Sequence, residues 1–274
     1  MFSKEALQHI ESNILAASQS IIEADDGSKI ALVPEGVNTL RLEQYQGYRD
    51  RFRGTLNTHS IKDFSNYVGS HIDSTVGARG FVDQDGMSAT VIFNLGNQEN
   101  PGHGDDSGVL TLKRTAAFQA VQSVIGKALS QQDLAEWLED WQVNLSAKAG
   151  TADIPLLAAI AGIRRMTIKS SSQLDSTVSD FGASRSAMDE IEAKSQETLA
   201  SGFIFTTVPY EGLQPAAIQL RLSVITGRES PVLKLRWVGE EAQREDFARE
   251  FKGVLESEVG GLVPLTIGTF SIGK

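Results

Sequence analysis

Cysteine is absent from this 274-residue chain. That excludes disulfides, thiolate metal ligands and a cysteine nucleophile together, and it is compatible with a reducing compartment. Basic residues are in the minority, with 25 Lys and Arg against 35 Asp and Glu for a net charge of −10. A general phosphate-neutralising surface is therefore not expected, because nonspecific nucleic-acid binding draws on clustered Lys and Arg. Only a local basic strip remains open. No apolar run approaches the roughly 18–20 residues that span a bilayer. The opening MFSKEALQHIESNIL puts acids and polar residues where a signal peptide carries a basic start and an unbroken apolar stretch. These absences predict a cytoplasmic protein with no membrane partner.

Motifs of common chemistry are missing as well. There is no Walker A sequence, since Gly126-Lys127 and Gly273-Lys274 lack the preceding glycine at the required offset. No dinucleotide fingerprint follows a strand, and no serine sits in the strand-turn-helix elbow of a hydrolase nucleophile. No cofactor is called for.

What is present is ordinary globular material: 41% hydrophobic and 22% charged residues support a packed core. The length fits one large domain or two modest ones. A boundary near Gly150 would give α+β regions at 1–150 and 151–274, with one continuous domain as the alternative. Residues 3–24 read as a helix capped by Ser3, with Leu7, Ile10, Ile14, Ala17 and Ile21 on one face. Such a face packs on its own domain or docks on a neighbouring subunit. Residues 29–33 form a short strand closed by Pro34, and 60–71 suit a helix capped by Ser60 and Asp63.

A hairpin follows over 78–95, turning at Asp83, Gln84, Asp85 and Gly86. After a loop over 96–108, residues 109–113 alternate as a strand. Thr115 then caps a helix carrying Phe118, Val121, Ile125 and Leu129, and Ser130 with Asp133 opens another bearing Leu134, Trp137, Leu138 and Trp141. Residues 153–166 form a third helical run. Exposed strands are expected over 166–181, and a helix or a continued strand meander over 184–200. Strands at 202–209, 216–225 and 232–238, a helix at 240–258 and a strand at 262–270 complete the chain. Hairpin strands with grouped helices indicate an α+β fold, its antiparallel sheets carrying amphipathic helices on one side and at the termini.

Two groups of residues invite a functional reading. His103, Asp105 and Asp106 form the one place where histidine and carboxylates crowd together. Imidazole with carboxylate suits a divalent metal or proton transfer. Aspartates bonding backbone amides between Gly102 and Gly104 give the competing, structural reading. His9, His59 and His71 have no ligand spacing to this cluster. The second group is Arg49, Arg51 and Arg53, interleaved with Tyr45, Tyr48 and Phe52. On a strand the three arginines share one face, either as ordinary exposed charge or as contacts to phosphate and bases.

LVPEGV at 32–37, RFRGTLNTHS at 51–60, PGHGDDSGVLTLKRTAAFQA at 101–120, DLAEWLEDW at 133–141, SRSAMDEIEA at 184–193, GFIFTTVPYEGL at 202–213 and SPVLKLRWVGEE at 230–241 run in order through nearly the whole chain. Together they resemble the YfdQ-like family of phage and prophage proteins, which carry a domain of unknown function. The resemblance implies a phage-encoded accessory protein and supplies no catalytic residues. It gives more weight to His103 and Asp105 than to Asp106, where relatives carry a basic or small residue.

The expectation that results is a non-enzymatic accessory protein that self-assembles into a homo-oligomer through sheet edges and terminal helices. The alternatives are a metal-dependent hydrolase or nuclease using His103 and Asp105, and a nucleic-acid- or nucleotide-binding factor using Arg49, Arg51 and Arg53, with Arg164 and Arg165 as further contacts.

Overall fold

The computed structural model describes residues 3–18, 21–23, 29–31, 45–49, 51–72, 77–166, 199–225 and 231–273. The expected elements at 166–181 and 184–200 lie almost wholly outside them. By backbone contacts the chain divides into two units, Met1–Phe52 and Arg53–Lys274.

In the first unit, the Ser3 hydroxyl accepts from the Ala6 amide at 3.2 Å and opens helix α1, Lys4–Ser18. The helix stops short of the expected Ala24. Ile21–Glu23 (β1) instead pairs antiparallel with Lys29–Ala31 (β2). Adjacent β-branched Ile21 and Ile22 favour the extended ribbon over a further helical turn. The arginine-aromatic run is not a strand: 45–48 are turn and bend, and the next strand begins only at Gly54. Arg49 and Arg51 are exposed whereas Arg53 is half-buried, so the three do not share a strand face.

The second unit holds two five-stranded sheets. In one, β4 (Arg79–Asp83), β5 (Ser88–Ile92) and β6 (Asp106–Thr111) form an antiparallel meander. Gly54–Thr58 (β3) runs parallel to β6, and Leu265–Ile267 (β12) runs parallel to β4. In the other, the order is β11-β10-β9-β7-β8 and every pairing is antiparallel. Its strands are Leu145–Ala149 (β7), Ala152–Ile154 (β8), Gly202–Thr207 (β9), Ala216–Ile225 (β10) and Val232–Trp237 (β11). The fold is α+β with mostly antiparallel sheets. Gly150, at φ 61°, sits in the turn joining β7 to β8.

The caps follow the sequence closely. Ser60 accepts from the Asp63 amide at 3.2 Å to start α2, Ile61–His71. Thr115 accepts from the Phe118 amide at 3.2 Å to start α3, Ala116–Val124. Ser130 and Asp133 close a reciprocal capping box on α4, Gln131–Asp140. The boundaries drift where turn residues intervene. Pro155, its φ near the helical value, starts α5 at Leu156–Arg165, leaving Asp153 and Ile154 in β8. Gly126, at φ 74°, ends α3 early. Ile125 and Leu129 therefore leave the helical stripe and bridge to Leu235 and Leu233 on the edge of β11.

The two sheets share one core. Directly after β6, Arg114 bridges to Tyr210, and the Thr115 hydroxyl donates to the Val208 carbonyl at 2.6 Å. Phe118, fully buried, then sits 5.5 Å from the Tyr210 ring, 6.0 Å from Trp237 and 5.9 Å from Phe247 (centroid distances). Phe247, Phe251 and Leu255 are the buried face of α6, Glu240–Glu258. Among the described residues no helix is long and apolar enough to cross a membrane.

Phe118 is the node at which α3, β11 and α6 meet, so truncating it leaves a cavity in a close-packed centre. In urea denaturation of the full chain, Phe118→Ala is expected to lower stability by about 3–5 kcal/mol. Thr115→Ala, which removes one cap, should cost about 1 kcal/mol.

Candidate functional site

The loop between β5 and β6 closes on itself. Gly102 donates to the Leu95 carbonyl at 2.8 Å and Gly104 to that of Asn94 at 3.1 Å. Asn97 Oδ1 takes the amides of Glu99 and Asn100 at 3.0 and 2.7 Å. A Cβ at position 102 would collide with the Asn94 carbonyl, so only glycine fits there. Asn94 is the clamp at the base. Its Nδ2 donates to Asp105 Oδ1 at 2.9 Å while its Oδ1 accepts from the Asp106 amide at 3.1 Å. Asp105 is half-buried, and its carbonyl takes the Gly54 amide at 2.9 Å, tying β3 to the same point.

The three clustered residues are therefore separated by the fold. His103 is exposed on the loop, Asp105 is held by Asn94, and Asp106 turns inward as the first residue of β6 with only 7% of its surface exposed. Strand alternation is the cause: consecutive residues at a strand start point to opposite faces. The Asp106 carboxyl faces helix α2. Its Oδ1 is buried with no hydrogen-bond partner among the described residues.

Across from it, the Tyr67 and His71 rings stack at 3.8 Å and 28°, with Phe93 5.7 Å from Tyr67 and 5.5 Å from His71. The layer packs close over Gly108, where a Cβ would meet Phe64 and Tyr67 at 3.4 and 3.5 Å, ordinary van der Waals contact. His71 Nδ1 lies 3.0 Å from both the Tyr67 carbonyl and the Ser70 hydroxyl.

Burial pushes the Asp106 carboxyl above the 3.8 of an exposed aspartate; His71 pulls it down and the Asp105 charge pushes it further up. The Tyr67 hydroxyl is raised too, by burial first and then by the Asp106 charge. A carboxyl disfavoured as an anion, beside an imidazole and a phenol, is suited to holding a proton. Among the described residues no three His, Cys, Asp or Glu side chains come together in a group that could hold a metal. The histidine whose charge acts on Asp106 is His71, which its distance in sequence had set aside. The signal for it was the i, i+4 spacing of Tyr67 and His71 on the apolar edge of α2.

An aspartate with a raised folded-state pKa stabilises the fold below its unfolded value, and that contribution is lost as pH rises through the folded value. Asp106→Asn keeps the shape and removes the charge. Melting temperatures should therefore show the variant gaining on the native chain as pH rises from about 4 to neutral. A constant difference between the two across that range would reject a charged, buried Asp106.

No curated protein and no solved structure matches this chain. A family model described as an uncharacterized conserved protein matches residues 3–270 and so takes in the Asn94 clamp, Asp106 and both sheets. The chain belongs to that family, the uncharacterized conserved proteins designated DUF2303.

Proposed function

We propose that this is a non-enzymatic accessory protein that assembles into a homo-oligomer, and that helix α1 is the contact between copies. One observation carries the reading: Leu7, Ile10 and Ile14, at alternating three- and four-residue steps, are 55%, 46% and 63% exposed. That spacing draws a narrow apolar seam along a helix, as in paired helices. A lone 15-residue helix is marginal in water, so such a seam gains from a partner.

The charges beside the seam indicate which partner. Lys4 and Glu11 are exposed and lie on the same flank, seven residues apart. In an antiparallel pair with Leu7 opposite Ile10 of a second copy, Lys4 stands beside Glu11 of that copy, and the pairing occurs twice. A second copy of this chain is thus complementary in both apolar pattern and charge.

Sheet edges are the weaker candidates for assembly. Three of the four edges are short or covered: β8 and β12 are three residues long and β11 is already bridged by Ile125 and Leu129, which leaves five-residue β3 as the longer edge. Short and covered edges resist strand addition. The resemblance to the YfdQ-like family supports a phage or prophage setting and action in the host cytoplasm.

Native mass spectrometry and light scattering at micromolar concentration test the reading. The native chain should be oligomeric, and Leu7→Glu with Ile14→Glu should shift it to monomer, with circular dichroism losing no more helix than the 15 residues of α1 supply. Lys4→Glu should weaken assembly by about 1 kcal/mol or less per exposed pair, and Lys4→Glu with Glu11→Lys should restore it. A strictly monomeric native chain rejects the proposal.

A further inference from the structure

We infer that the outer face of the second sheet, carrying Lys148, Arg221, Lys234 and Arg236, binds the phosphate backbone of a nucleic acid. The pairing register draws that face. Lys148 on β7 stands opposite Gly202 of β9, Gly202 opposite Arg221 of β10, and Arg221 opposite Arg236 of β11, so one cross-strand row carries three cations. Lys234 lies two residues from Arg236 and so shares its face. Their neighbours along β11, Leu233, Leu235 and Trp237, are buried on the opposite side, while Lys234 and Arg236 are exposed.

Asp153 of β8 is the only carboxylate in the five strands, and it pairs with Lys148 at 2.6 Å. Four cations against one carboxylate leave these strands positive, in a chain whose net charge is −10. Lys148 is thus partly neutralised, and Arg221 is engaged elsewhere in the protein. Lys234 and Arg236 are therefore the informative positions. Lys127, exposed on the segment that bridges to β11, adds a further cation at that edge.

The spread of the charge selects the partner. Lys148 and Arg236 are three strand spacings apart, about 14 Å, and Lys234 and Arg236 stand about 6.7 Å apart along β11. That span exceeds the reach of one phosphate and suits a run of them. The rings of these strands, Phe203, Phe205 and Trp237, are buried on the other face, so contact is to the backbone and not by base stacking. An acidic peptide would gain a firm seat by adding a strand, but the β11 edge beside the cations is covered by Ile125 and Leu129. The net charge of −10 repels any polyanion at long range. That repulsion is screened beyond about 10 Å at 0.1 M salt, whereas contact pairs persist. Binding is therefore local, modest and indifferent to base sequence.

The test is fluorescence anisotropy of labelled oligothymidylate and oligocytidylate of about twenty nucleotides, titrated with the full chain at several salt concentrations. Saturable binding is expected at low salt, with similar affinity for both sequences and a log–log salt slope of about −2 for three phosphate contacts. Lys234→Gln and Arg236→Gln should each weaken binding and reduce the slope by about 0.7, and Lys234→Glu with Arg236→Glu should abolish it. Lys62→Gln, which removes an exposed cation from α2, should change neither. Lys234 and Arg236 are exposed, so circular dichroism and thermal melting of their variants should match the native chain. The inference fails if no saturable binding occurs, if the β11 variants bind like the native chain, or if Lys62→Gln weakens binding as much as they do. It fails equally if affinity follows base sequence, or if a polyglutamate peptide of equal charge competes as well as the oligonucleotide.

Discussion

The Thr115 hydroxyl joins the two sheets of the second unit. It accepts from the Phe118 amide and donates to the Val208 carbonyl, so one side chain both begins α3 and ties the end of β6 to the end of β9. The Arg114–Tyr210 bridge, and the Glu211 amide donating to the Lys113 carbonyl at 2.9 Å, continue that seam on either side. With the joint fixed, Phe118 is placed among Tyr210, Trp237 and Phe247, and α6 is held over the meeting point. Gln243 adds a polar latch there, accepting from Trp237 Nε1 at 2.8 Å and donating to the Ala217 carbonyl at 3.0 Å. One core rather than two follows from this arrangement.

That joint also explains how the sheet edges are managed. Because α3 is anchored at its start and stopped by Gly126, the chain after it runs along β11 and covers an edge that would otherwise be open. Apolar surface in this unit is mostly internal, while the seam of α1 in the first unit is left outside.

Asp106 sets a different constraint. Burying a carboxyl whose Oδ1 has no hydrogen-bond partner among the described residues is costly, and the fold tolerates it at a point where α2, β6 and the Asn94 loop converge. Asn94 holds the backbone of Asp106 and the side chain of Asp105, so neither aspartate can swing toward His103 without breaking the clamp. His103, Asp105 and Asp106 are neighbours in sequence. The pleat of the strand turns Asp106 inward, where the charge of His71 acts on it.

Much of the fold was legible beforehand because its signals are local. Ser60, Thr115 and Ser130 cap helices through atoms three residues away, the hairpin at 79–92 follows from alternation, and α6 spans 240–258 as its composition indicates. The ends of α1, α3 and α5 were misjudged where Ile21-Ile22, Gly126 and Pro155 outweigh a continuing apolar pattern. The Asp85-Gly86 turn also differs in detail. Gly86 lies under the Asp83 side chain, and buried Met87, not Gly86, takes the positive φ of 49°.

By itself, the sequence determined the α+β class, the caps, the core-forming residues and the absence of cysteine chemistry, since each depends on residue type and short-range spacing. Tertiary structure alone decided the parallel placement of β3 and β12, the Thr115 joint, the encounter of His71 with Asp106 and the exposure of the Tyr45–Phe52 rings. Those depend on which distant surfaces meet, and no local pattern encodes the partner.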